Sequence, residues 1–303
     1  MIFHTPPTPA PPPPRVMAVL ASSNLSDEIN RATRSQHIEL NRLLINRLSL
    51  ALPPHSSTPL LYGKGLVPFA RIFLFFEIEW EILIRQVQQS DGYGNEHARE
   101  VQRWLANLRP AGLARTARLK DDLRDLRTLG GGGIFDTIDL GEDWMKSMRM
   151  TMRRQPHVLV AFAWVFYMAT FSGGRWIRQQ LANSGDEFWK PDTPHENDTK
   201  TPNLELPGFT FLSFDGTQDG EDIKADFKFR LGSAESLLTL EEKDDIILVS
   251  QQLFERCTLL VSELDQKVWR EKLRSWSWPI VSWMSMAVLT LALLRYVWRF
   301  VGL

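Results

Sequence analysis

Two places in this sequence have residues whose type and spacing could do chemistry. The first is His37, in the run LSDEINRATRSQHIELN from Leu25 to Asn41. Thr33 and Leu40 stand four and three residues from it, so on a helix the imidazole sits at the edge of the apolar face, where it could reach into a pocket as a ligand. A lone histidine there is also an ordinary boundary residue, and the helix alone does not separate the two readings. The second place is VLVAFAWVFYMATFSGGRWIRQQL, from Val158 to Leu181. Its apolar pattern passes through Ser172, Gly173 and Gly174 into an amphipathic stretch bearing Arg175 and Arg178. Each glycine costs a helix about 1 kcal/mol relative to alanine, so the pair asks for a reason. A kink laying bare backbone against a flat ligand is one; close helix packing, or a break between two helices, is another.

Other features read as structural. Glu77, Glu79 and Glu81 alternate, cannot all share a helix face, and are expected at solvated or edge positions. Gly130 to Gly133 is a connector, since no lysine-serine or lysine-threonine follows to make a phosphate loop. His97, His157 and His195 have no partner at ligand spacing and are given no role.

The elements that must position His37 and the glycines are helical almost throughout. From Leu25 to Leu50 apolar residues recur close to the 3.6 period, with Asn24 or Ser26 as cap and Asp27 and Glu28 in the first turn. Further helices are expected over Pro68 to Gln89, Asn95 to Leu108, Leu113 to Leu129, Asp143 to Asn183 with a break near Pro156, Asp222 to Leu238, and Glu241 to Leu273. Strand-like alternation is nearly absent, so the fold class is all-α. Breakers separate the helices at Pro53-Pro54, Asp91 to Gly94, Arg109-Pro110 and Gly130 to Gly133. The polar stretch 183–208 is expected to be a mobile loop within a domain spanning 23–273.

The ends differ from this middle. Residues 1–22 hold seven prolines between Pro6 and Pro14 and read as an unpacked tail without a secretory signal. From Ser275 to Leu294 twenty residues carry no charge, enough for a helix of about 30 Å. Trp276, Trp278, Tyr296 and Trp298 flank it, which predicts a transmembrane anchor over 275–296. Lys267, Arg270, Lys272 and Arg274 outnumber Arg295 and Arg299 across it and orient the domain to the cytosol. The alternative is a buried core helix, for which a proline, three tryptophans and no polar face would be odd. With 35 basic and 36 acidic residues, no nucleic-acid partner is indicated. The single cysteine, Cys257, excludes an intramolecular disulfide and any multi-cysteine metal site.

These residues carry a resemblance to the haem oxygenase family. Leu25, Ser26, Ala32, Thr33 and His37 resemble its proximal helix. Leu159-Val160-Ala161, Ala163, Tyr167 and Ser172-Gly173-Gly174 follow the spacing of its distal helix, and Phe227 to Glu255 is similar to its last two helices. The matches cover about residues 25 to 255, and the tail repeats the anchoring common among eukaryotic members. The resemblance implies a multi-helical haem oxygenase-like domain, haem as both cofactor and substrate, and His37 as the axial ligand of its iron. It places Ser172, Gly173 and Gly174 over the haem, and Lys228 where a propionate-pairing lysine is expected. Departures accompany the matches. Thr170 replaces the family's distal aspartate, so proton delivery would pass through its hydroxyl and ordered water. Ala169 replaces a glycine, Trp164 a tyrosine, Asn30 a basic residue and Gly232 a propionate-pairing arginine; Arg31, Arg34 and Arg230 are near enough in sequence to stand in.

Two functions follow from that resemblance. In the first, placed ahead, the protein is an oxygenase that opens haem to biliverdin, releasing iron and carbon monoxide with electrons from a reductase. It would do so at a cytosol-facing membrane, the endoplasmic reticulum before the mitochondrial outer membrane. In the second it binds haem without degrading it, as a tethered sensor, carrier or scaffold, because Thr170 replaces the distal acid. A di-iron oxidase is set aside, since no Glu-x-x-His is present.

Overall fold

The computed structural model describes residues 24–90, 92–130, 132–135, 140–189 and 209–301, and the side chains from 275 onward are almost all outside that description. Among the described residues nine α-helices follow in chain order: α1 (Leu25–Ala51), α2 (Leu60–Ser90), α3 (Glu96–Leu108), α4 (Thr116–Gly130), α5 (Glu142–Arg154), α6 (Leu159–Ala182), α7 (Asp186–Trp189), α8 (Glu221–Gly232) and α9 (Leu240–Val301). Among the described residues there is no strand, as the 3.6-residue periodicity implies.

α6 is the axis of the fold. Leu159 to Tyr167 are buried on all sides, and α2, α8 and α9 surround them. Phe73 and Phe76 of α2 meet Phe162, Phe166 and Tyr167 of α6 with ring centroids 5.4–5.9 Å apart. Such pairs each add about 0.5–1.5 kcal/mol beyond the apolar area they bury. Pro156–Ala182 is long and apolar enough to cross a membrane by composition, but 78% of its apolar window is buried within the fold, so it is a core helix.

α2 corrects the reading of two of its three glutamates, while Glu81 is partly exposed as expected of an edge position. Glu77 is only 2% exposed and Glu79 is also buried. Glu77 accepts from Tyr167 Oη at 2.7 Å, from the backbone N–H of Arg115 at 2.8 Å and of Thr116 at 2.7 Å, and from the Thr116 hydroxyl. It thus occupies the first orphan donors of α4 from another helix. Glu79 holds Arg149 at 2.8 Å on α5, and Glu81 holds Arg109 at 2.6 Å. Alternation does send the side chains in different directions, but α2 has neighbours in each of them.

Several boundaries differ from expectation. α2 begins eight residues before Pro68, which sits inside it. The stretch from 143 is broken where predicted, with Gln155 and a 3-10 turn at Pro156–Val158 between α5 and α6. The expected loop 183–208 starts as structure: α7 buries Trp189, whose Nε1 donates to Leu181 O at 3.1 Å. Residues 190–208, like the proline-rich 1–22, lie outside the described residues. α9 runs unbroken for 62 residues through the expected end at Leu273 and through Pro279. The side chains of the predicted anchor, 275–296, are outside the description.

Candidate functional site between α1 and α6

Asn24 caps α1, its side chain accepting from Asp27 N at 2.9 Å. Leu25, Ile29, Thr33 and Leu40 are buried, and Thr33 donates its hydroxyl to Ile29 O at 2.8 Å. His37, between the buried positions 33 and 40, is exposed, at the edge of the apolar face. Its ring stands edge-on to Phe254 of α9 with centroids 5.8 Å apart. The side chain is therefore supported on one side and open on another, as a ligand must be.

On α6 the burial changes character after Tyr167. Thr170, Phe171 and Gly174 remain buried, while Ala169 and Ser172 are exposed, Gly173 partly so, and Trp176 exposed. Positions 169, 172, 173 and 176 form one helix face, so α6 has a packed side and an open side here. The two glycines have different reasons to be glycine. A Cβ on Gly173 would meet nothing within 4 Å. A Cβ on Gly174 would lie 3.1 Å from Leu212 Cδ2, so this residue is there for close packing. The helix is continuous through both. Of the two, Gly173 is the one on the open side.

Thr170 belongs to the packed side. It is 4% exposed, and its hydroxyl donates to Phe166 O at 2.9 Å. Its methyl carbon lies 3.7 Å from the Cβ position of Gly174, on the packed side. An i to i−4 back-bond is the usual outcome for a threonine without a better partner. The open face carries Ala169 and the hydroxyl of Ser172 instead.

Two of the departures from the family pattern meet. Trp164 Nε1 donates to Asn30 Oδ1 at 3.0 Å, tying α6 to α1. Phe227 stacks on Trp164 at 6.5 Å, and Lys228 Nζ lies 5.9 Å from its ring centroid. Lys228 is exposed, so α8 brings a cation to the tie. Asn30 and His37 are seven residues apart and share a face of α1. α6 starts beside α9, where His157 meets Asp245 at 3.0 Å, and reaches α1 at Asn30, so it advances in the same sense as α1. His37 and Gly173 both lie past the tie, about 10 and 14 Å along their helices. Arg230 does not stand in at this edge: it is forked onto Asp226 at 2.8 Å and donates to Asn107 O at 2.8 Å. Arg31 lines a different groove, with Glu28, Leu240, Lys243 and Ile247.

A clamp, unread in the sequence, holds the far end of this face. Arg178 grips Asp219 through both nitrogens at 2.9 and 2.6 Å, and Arg175 donates to Asp219 O at 2.9 Å and pairs with Glu221 at 2.6 Å. Asp219 has φ +47°, and Arg178's hydrogen bonds hold its carboxyl below the usual range despite partial burial. The i, i+3 arginines were the available signal; their partner, about 40 residues on, was not. His97 and His157 also gain partners: both meet Glu242, at 3.1 and 3.7 Å, and His157 meets Asp245. No group of metal-holding side chains occurs among the described residues. His195 lies outside them.

The residues fit a flat, iron-bearing ligand: an accessible imidazole, a small-residue face with open space at Gly173, and a cation at one edge. No protein-family model matches the chain. It is 20% identical over 275 residues to the haem-binding protein HMX1 of Saccharomyces cerevisiae, covering 86% of this chain and 81% of that protein. Haem oxygenase 2 of Chlamydomonas reinhardtii, solved without haem, superposes with a TM-score of 0.57 at 17% identity, over 80% of this chain and 98% of that one. Haem oxygenase-1 of Synechocystis, solved with haem, gives 0.55 at 14% identity, over 84% and 99%. In fold, the chain is similar to the haem oxygenases.

Proposed function

We propose that the protein binds haem between α1 and α6, with His37 as the axial ligand, on a domain tethered to a membrane by residues 275–296. The observation that carries this is the pairing of an exposed His37, braced by Phe254, with the open Ala169–Ser172–Gly173 face of the helix to which α1 is tied. Lys228, above Trp164, would pair with a carboxylate at the ligand's edge. The curated relative named for haem binding, and the structures of haem oxygenases solved with haem, support the same ligand. When bound, haem iron would supply the redox chemistry, and the protein would contribute ligation, a narrow space and a proton path.

The oxygenase reading, cleavage of haem to biliverdin with electrons from a reductase, now rests on Ser172. Its hydroxyl is on the open face and can order water, whereas Thr170 faces the packed side with its proton donated to Phe166. No carboxylate stands among the open positions 169, 172, 173 and 176, which favours binding without turnover. Haemin titration of the full chain in detergent, read by Soret absorption, tests the first claim. The parent should saturate at one haem per chain, and His37→Ala should lose or shift the band; an unchanged band in the variant would remove His37 from the site. Biliverdin formed on adding a reductase and NADPH, and lost in Ser172→Ala, would establish turnover; haem left intact establishes the binding reading.

A further inference from the structure

α1 and α9 lie side by side and run the same way. Gln251 donates to Ala32 O at 3.1 Å, Gln36 to Glu255 at 3.2 Å, and Arg47 to Asp265 at 2.8 Å, at nearly constant sequence separations of 219, 219 and 218. The α9 face that holds α1 therefore passes through Gln251, Phe254, Glu255 and Asp265. At helical spacing it continues to Trp269 and Leu273. α1, however, ends at Ala51, which in this register is level with Trp269. Beyond that point the stripe has lost its cover: Trp269 is 62% exposed, Leu273 48%, and Leu50 on the last turn of α1 50%. α2 packs a different side of α9 there, with Lys64 Nζ 2.7 Å from Glu271.

We propose that this end of the bundle is a membrane-contact surface of the folded domain itself. Leu273 sits in the headgroup boundary of the bilayer whose core takes residues 275–294, with Trp269 and Leu50 at the outer edge of that boundary, so the domain rests on the membrane rather than hanging from it. The inference rests on the anchor reading and goes beyond it. Continuity selects a bilayer as the occupant. Along the α9 axis Leu273 lies about 3 Å from Ser275 and Trp269 about 9 Å, while the interfacial layer on each side of the hydrocarbon core is about 5–8 Å deep. A bilayer that accepts Ser275 therefore reaches Leu273 and comes to Trp269. Indole rings favour that layer, and Lys267, Arg270, Lys272 and Arg274, which interleave with the stripe, suit anionic headgroups.

The test uses the full chain in vesicles of phosphatidylcholine and phosphatidylserine. Cys257 is buried and burial pushes its thiol up to about 12, so it takes no label and a single introduced cysteine labels alone. Leu50→Cys and, as a control near the other end of α9, Leu248→Cys would carry an environment-sensitive fluorophore. Both positions are exposed, so neither change disturbs packing. The Leu50→Cys probe should emit to the blue and be quenched by nitroxide-bearing lipid several-fold more than the Leu248→Cys probe. Equal, water-like emission from the two in chains that resist an alkaline wash overturns the surface while leaving the anchor. A Leu50→Cys probe shielded from water but untouched by lipid nitroxide, in chains that cross-link as dimers, assigns the stripe to a second copy and also overturns it. Chains that wash off the vesicles remove the anchor and this surface together.

Discussion

A glycine can leave open space or permit close contact, and Gly173 and Gly174 are one of each. Alanine at Gly173 meets nothing and gains helix propensity, so in the apo protein it should raise Tm, by an amount equivalent to about 0.5–1 kcal/mol. Gly174→Ala gains the same propensity but presses on Leu212, and should fall short of Gly173→Ala in a thermal melt. Haem should reverse the order: the Gly173 methyl projects into the proposed space and weakens haemin binding, while Gly174→Ala leaves it near the parent. Equal effects on haemin binding would mean that the open face is not the haem face. At this scale the sequence was half legible. His37 at the edge of an apolar face and the oddness of adjacent glycines followed from spacing alone. That Thr170 would turn inward and that Trp164 would bond Asn30 did not, because a side chain's facing depends on what packs beside it, and both partners are distant in sequence.

The helices owe their placement to polar groups as much as to apolar stripes. Spacing alone makes Glu77 a solvated or edge residue, because alternation says where side chains diverge and not whether a neighbour is there to receive them. Its carboxylate receives donors from α4, its leading loop and α6 in a buried setting, so Glu77→Leu strands the N–H groups of Arg115 and Thr116 and the Tyr167 hydroxyl together. The expected cost is about 3–5 kcal/mol, read as a fall in the urea midpoint without a change in slope. The Asp219 clamp gives a pH signature. Its folded pKa is depressed by Arg178, so its contribution is present above the unfolded value of about 4 and is lost as pH falls through the lower folded value. Asp219→Asn should melt below the parent at neutral pH, and the gap should close as pH drops under about 4. A gap that persists at pH 2 would count against the ion pair as its source, since asparagine adopts the φ +47° backbone as readily as aspartate.

For the molecule as a whole, the all-α class, the order of helices and the break at Pro156 were legible because helix periodicity and proline are local signals. The extent of α9 was not. A change from a mixed to an apolar composition near Ser275 reads as a boundary, whereas the backbone carries one helix across it. That continuity fixes a heading. An α-helix turns by about 100° and climbs about 1.5 Å per residue, so every residue of α9 has a set bearing and altitude relative to every other. Phe254, which braces His37, is 21 residues before Ser275, about 32 Å up the same shaft. With the lower part of α9 seated in a bilayer, the upper part would act as a fixed mast, and the mouth beside His37 would face one direction at one height. One residue inserted after Leu273 would swing the whole domain by about 100°, while four, a little over a full turn, would nearly restore its bearing about 6 Å higher. A partner held to the same membrane would therefore lose and regain its reach with the period of the helix.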